Sequence, residues 1–171
     1  MKGKLNIYSS NVTSQHGEDG ILEYIINSLN GKINHTCCEF GAWDGIFASN
    51  CYNLWKNLGW GAVLIESDRD KYEGLVNNTA EFDNVDSLCC LVQCREKDSL
   101  DDIFKKNNYP QELGVLSIDI DSFDYHIWKN LNFVSPQIVV IEHNIFIPGY
   151  IDYHDIEEES YLRCSAKSLE K

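Results

Sequence analysis

CCEFGAWDG, at residues 37–45, reads as a short buried strand running into an acidic turn that carries glycine at both ends. The next apolar run, GWGAVLIESD at 59–68, ends in a second carboxylate, Glu66. A strand, a glycine turn, a helix and an acid-tipped strand is how α/β folds hold an adenosine moiety. Glycine lets the backbone approach the ligand, and the second carboxylate accepts hydrogen bonds from ribose hydroxyls. The dinucleotide pattern G-x-G-x-x-G is absent, because the turn offers only Gly41 and Gly45. Without a tight pyrophosphate turn the pattern favours a nucleoside lacking a diphosphate, of which S-adenosylmethionine (SAM) is the obvious one. A purely structural strand-to-helix turn would carry similar residues.

Outward from this stretch the pattern alternates. The polar turn SQHGEDG (14–20) leads into a helical run with Ile21, Leu22, Ile25, Ile26 and Leu29, which Gly31 ends. Strands are expected near 35–41, 61–66, 85–92, 115–120 and 138–141. Between them fall helices around Tyr52–Leu58, from an Asp68 cap to 78, from Asp98 or Ser99 to Asn107, and around Tyr125–Leu131. Pro110 and Gly114 are expected to bracket a turn, and Pro136 to precede the last strand. Short strands alternating with helices predict an α/β fold with a mostly parallel sheet of at least five strands, helices on both faces. The strands at 35–41, 61–66, 115–120 and 138–141 are nearly all apolar, as sheets covered on both faces require. No repeat or linker divides the chain, so residues 1–171 are expected to form a single domain.

Composition narrows the function. The 171 residues are 43% hydrophobic and 12% aromatic, which suits a folded globular protein, and the net charge is −13. No basic cluster exceeds Lys105-Lys106, so nucleic acid and anionic membrane are not expected as partners. There is no long apolar run and no signal-like N-terminus. Seven cysteines include two adjacent pairs, Cys37-Cys38 and Cys89-Cys90, but no C-x-x-C. They read as small buried hydrophobes of a reduced, cytoplasmic protein rather than a zinc or disulfide framework.

Ligands of open α/β sheets bind beyond the carboxyl ends of the strands. Those ends carry Glu39 and Asp44, then Glu66, then Ser117, Asp119, Asp121 and Asp124, then Glu142, His143 and Asn144. A charge at the tip of an apolar strand costs desolvation unless it is paired or bound. Asp119 and Asp121 flank Ile120 and share a face; with Glu142 and Asn144 they offer oxygen ligands suited to Mg²⁺ or Mn²⁺. Alternatively Asp121 or Ser122 caps the following helix. His143 has the pKa range of a general base toward a substrate hydroxyl, or is a structural histidine. The acids of SQHGEDG either serve the helix dipole or belong to a turn folded over the ligand. Trp55, Trp60 and Trp128 read as core, and Trp43 as a candidate pocket wall.

SQHGEDGIL (14–22), CEFGAWDGIFASN (38–50), GWGAVLIESD (59–68), LSIDIDSFDYHIWKNL (116–131) and VVIEHN (139–144), in this order, resemble the FkbM-type SAM-dependent methyltransferases. The resemblance covers most of residues 14–144 and implies a Rossmann-like class I methyltransferase fold. It puts Glu39, Gly41 and Asp44 at the methionine part of SAM, Glu66 at the ribose and the loop near Gln93 beside the adenine, with Ala42, Ser67 and Asp119 also among the cofactor-binding residues. Asp119, Asp121 and Glu142 would face the transferred methyl group and its acceptor, with His143 or Asp121 as base. It also implies O-methylation of a hydroxyl on a sugar, glycan or small-molecule metabolite. The helix and antiparallel strand pair that normally end the fold have no matching sequence, so they are expected to be missing. An exposed fifth strand would then invite pairing with a second copy. Two rivals stay open: a nucleotide-sugar glycosyltransferase using the D-x-D pair, and a shortened, non-catalytic methyltransferase-like domain.

Overall fold

The computed structural model describes residues 5–94, 97–120, 123–155 and 163–170. Five strands, β1 (Thr36–Phe40), β2 (Gly61–Glu66), β3 (Val85–Cys89), β4 (Glu112–Ile118) and β5 (Ser135–Ile141), form one sheet in the order β3-β2-β1-β4-β5. Every neighbouring pair is parallel. The helices are α1 (Glu18–Ser28), α2 (Arg69–Thr79), α3 (Leu100–Lys106) and α4 (Asp124–Lys129), with a π-helical turn at Asn53–Asn57. This is the expected α/β architecture.

Period-two alternation sorts the strand side chains into two cores. Cys38 and Phe40, Val63 and Ile65, and Leu116 and Ile118 face Leu100, Ile103 and Phe104 of α3 and Ile127 of α4. Cys37, Ala62, Leu64 and Val115 face Leu22 of α1, Leu54 and Trp55 of the π-helical turn, and Leu75 of α2. Trp55 and Trp60 belong to the second core, and Trp128 packs against the first. Cys37, Cys38, Cys51 and Cys164 are buried, but Cys89 is exposed and Cys90 and Cys94 are half-buried, against the expectation of burial, because they lie on and just beyond the outer strand β3; all seven cysteines are free thiols.

The caps follow the sequence. The Asp68 carboxylate accepts from Asp70 N at 2.9 Å and Lys71 N at 3.2 Å to start α2, and Ser99, rather than Asp98, caps α3. Two expectations differ from the structure. Gly114 lies inside β4, not in a turn: a Cβ there would stand 1.9 Å from the Asn34 carbonyl oxygen, so glycine is required by close backbone approach. β5 begins at Ser135 and includes Pro136, because β5 is an outer strand paired only with β4 and tolerates a missing N–H. Its far side has no strand partner among the described residues.

After β5 the chain turns back. His154 and Cys164 form an antiparallel bridge, and His154 stacks on Tyr125 of α4 with ring centroids 4.5 Å apart. Asp155, only 2% exposed, holds this clip: its carboxylate accepts from Tyr153 Oη at 3.0 Å and Arg163 N at 2.7 Å. Among the described residues no helix is long and apolar enough to cross a membrane.

Candidate functional site

The sheet order reverses between β1 and β4, and a cleft of about 510 Å³ opens beyond the carboxyl ends of the strands there. β1 delivers Glu39 and the glycine turn, β2 delivers Glu66 and Ser67, and β4 leads to Asp119. Cys90, Leu91 and Val92 follow β3, and Glu142 follows β5.

Glu39 is 4% exposed and lies level with Ser117 of β4. Ser49 Oγ donates to its Oε2, and Asn50 N donates to Oε1 at 2.8 Å. Asn50 Nδ2 in turn donates to Ser117 Oγ at 3.1 Å. Burial pushes the Glu39 carboxyl above its ordinary range, while the bonds from Ser49 and Asn50 oppose that rise.

Glu66, 5% exposed, is a clamp between two turns. Trp43 N donates to its Oε2 at 2.8 Å and Asp68 N to its Oε1 at 2.8 Å. A carboxylate has about four acceptor sites, so these bonds leave capacity for ligand hydroxyls. Gly41 adopts φ +77°, and a Cβ there would meet the Asp119 carbonyl oxygen at 2.0 Å. The β1 turn and the Asp119 backbone thus touch in a way only glycine permits. Trp43 and Ala48, both cleft residues, also have positive φ, 52° and 57°. Trp43 is 45% exposed and carries Lys71 Nζ 3.7 Å above its ring centroid.

Of the residues singled out in the sequence, Glu39, Gly41, Ala42, Glu66, Ser67, Asp119 and Glu142 line this one cleft, as does Trp43. Asp44 does not: its Oδ1 accepts from Ile46 N at 3.0 Å and Phe47 N at 2.7 Å, fixing the turn instead. Gln93 is exposed outside the cleft, its N–H bonded to the Asp98 carbonyl at 2.9 Å; of the loop after β3, Cys90, Leu91 and Val92 line the cleft. His143 lines neither this cleft nor the smaller one beside it. Asp121 and Ser122 lie outside the described residues.

The proposed metal set is not assembled among the described residues, where no group of three or more His, Cys, Asp or Glu side chains could hold an ion. Glu142 is paired with the Arg163 guanidinium, and Asn144 Oδ1 accepts from Phe146 N at 2.9 Å. Arg163 has no signal in the sequence that marks it as a cleft residue. It sits in an acidic stretch and reaches the cleft because residues 163–165 pair back with 153–155, with Arg163 itself at φ +62°. Gln15 likewise has no signal of its own, although the turn that contains it does.

Acidic side chains outnumber basic ones in the cleft lining. Two buried carboxylates face it, and Asp119 and Glu142 add acid at its far side. Its lining cations are Lys71 and Arg163.

No family model matches the chain, and no curated protein matches it. Solved structures do. The chain is 14% identical to a candidate RNA methyltransferase from Pyrococcus horikoshii, with TM-score 0.44 over 73% of this chain and 56% of that one. It is 7% identical to the CMeT domain of citrinin polyketide synthase, with TM-score 0.48 over 77% and 35% of the two chains. It is 12% identical to the glycopeptide N-methyltransferase MtfA complexed with SAM, with TM-score 0.39 over 72% and 46%. The chain therefore spans less than two thirds of the length of each of these structures.

Proposed function

We propose that this chain is the cofactor-binding domain of a SAM-dependent methyltransferase acting on a hydroxyl of a sugar or small-molecule metabolite. The observation that carries the reading is the pair of buried carboxylates, Glu39 and Glu66, near the carboxyl ends of adjacent strands and facing one cleft. Glu66 accepts from the ribose hydroxyls, and Trp43, held against it through its backbone N–H, walls the nucleoside. Glu39 faces the cationic amino-acid end. Cys90, Leu91 and Val92 supply a mixed apolar wall for the adenine. When bound, SAM supplies an electrophilic methyl group on a sulfonium, and the protein's part is mainly to align acceptor and methyl. Asp119 and Glu142 lie on the acceptor side, with Asp121 as the proton acceptor; His143, outside both clefts, takes no part.

Calorimetric titration with SAM and S-adenosylhomocysteine tests this, with UDP-glucose plus Mn²⁺ as the control for the glycosyltransferase alternative. Micromolar binding of the two sulfur nucleosides is expected. Binding of UDP-glucose alone, by folded protein, would overturn the reading.

A further inference from the structure

The SQHGEDG turn builds one end of the cleft, and the reading just given does not use it. Asp19 at its base is 4% exposed. Its Oδ2 accepts from Val12 N at 2.7 Å, Thr13 N at 3.0 Å, Ser14 N at 2.9 Å and Ser14 Oγ at 2.7 Å. Such convergence on one buried oxygen fixes the course of residues 12–14. Thr13 Oγ1 then donates to the Ser49 carbonyl at 3.0 Å, docking the turn onto the same loop whose Ser49 and Asn50 hold Glu39. The next residue, Gln15, reaches the main cleft. It also lines an adjoining one of about 90 Å³ with Asn50, Asp119 and Glu142. The Gln15 side-chain amide makes no hydrogen bond among the described residues.

Strand order fixes the order of groups along the cleft. Glu66 and Lys71 mark the β2 side, Glu39 the β1 position, and Asp119 and Glu142 the β4 and β5 side. Gln15, with Asp119 and Glu142 in both clefts, belongs to the side away from Glu66. A nucleoside whose ribose meets Glu66 directs its amino-acid arm that way. That arm carries an ammonium, which Glu39 accepts from, and a carboxylate, which needs N–H donors in surroundings dominated by acids. Of the two lining cations, Lys71 lies over Trp43 on the β2 side and Arg163 pairs with Glu142.

Building on the SAM reading, we propose that the Gln15 amide donates to the cofactor's carboxylate, with Asp19 as the positioning residue that aims it. The test uses two probes: S-adenosylhomocysteine, and 5′-methylthioadenosine, which lacks the amino-acid arm. Gln15→Ala should weaken S-adenosylhomocysteine about tenfold, the loss of a hydrogen bond to a charged group. Gln15→Glu, equal in shape but with an acceptor facing the carboxylate, should weaken it further. Both should bind 5′-methylthioadenosine like the parent, and melting curves monitor their fold. Parent-like S-adenosylhomocysteine binding by Gln15→Glu, or equal losses for both probes, would overturn the assignment while leaving the SAM reading intact. Failure of the parent protein to bind either probe would overturn both.

Discussion

Glu66 is expected to hold the fold together as well as to face a ligand, and removing it should be costly before any ligand is added. Its two oxygens accept from Trp43 N and Asp68 N, both at 2.8 Å, and the side chain is 5% exposed. Glu66→Ala strands two backbone donors. A buried donor left unsatisfied costs about 1–3 kcal/mol. Two donors together cost about 2–6 kcal/mol; water entering from the cleft side can reach Trp43 N, so the sum belongs in the lower part, about 2–4 kcal/mol. For a chain of this size about 1 kcal/mol lowers the melting temperature by about 2–4 °C, so a fall of about 5–15 °C is expected. Glu66→Gln keeps one acceptor and sets an NH₂ against the other donor, so it should fall between parent and alanine variant. Circular dichroism melts, paired with urea titrations whose m-value stays constant, measure this directly. An alanine variant melting within about 2 °C of the parent would refute the clamp, since that is under 1 kcal/mol.

Gly41→Ala combines a left-handed φ with a Cβ 2.0 Å from the Asp119 carbonyl, so the turn must shift; nucleoside binding measured by calorimetry should fall at least tenfold. Asp101 accepts from Asn132 N, Phe133 N and Val134 N at 2.8–2.9 Å, fastening α3 to the approach to β5. Asp101→Ala should therefore lower the urea midpoint by an equivalent of about 2–5 kcal/mol, and a near-parent midpoint would contradict that role. Glu39 makes stability depend on pH. Burial raises its folded-state pKa, so its contribution is complete below the unfolded value, about pH 4.3, and is lost as pH rises through the folded value. The stability of the parent relative to Glu39→Gln should thus decline as pH rises above the unfolded value, whereas a constant difference would count against a buried, titrating Glu39.

Most of the scaffold was legible because apolar runs and caps are local signals. CCEF and GAVLIE announce buried strands, Asp68 announces α2, and the glycine turn announces the cleft. What escaped depends on contacts distant in sequence. Gly114 looked like a turn residue because nothing local reveals that the Asn34 carbonyl presses on it. Asp44 looked like a ligand group, yet its carboxylate meets the amides two and three residues ahead, a use an isolated aspartate in a glycine turn equally predicts. Arg163 carried no signal at all, since its approach to Glu142 requires the chain to fold back from β5 through a buried Asp155.

The position of the cleft has a consequence for assembly. β1, β2 and β3 are consecutive in the chain and adjacent in the sheet, and so are β4 and β5. The two groups meet along the β1–β4 pairing, which joins residues far apart in sequence, and Gln137 of β5 reinforces the junction by accepting from Asn34 N at 2.7 Å, 103 positions away. Such non-local pairing is slow to form relative to the local crossovers. The cleft draws its walls from both groups, so it exists only after they have docked. A ligand seated across both groups would bind the finished sheet and neither half alone, so its binding would report the last step of folding. In refolding experiments the ligand should slow unfolding while leaving the early formation of the β1–β3 half at its unliganded rate; acceleration of that early phase would show that the binding surface matures before the halves join.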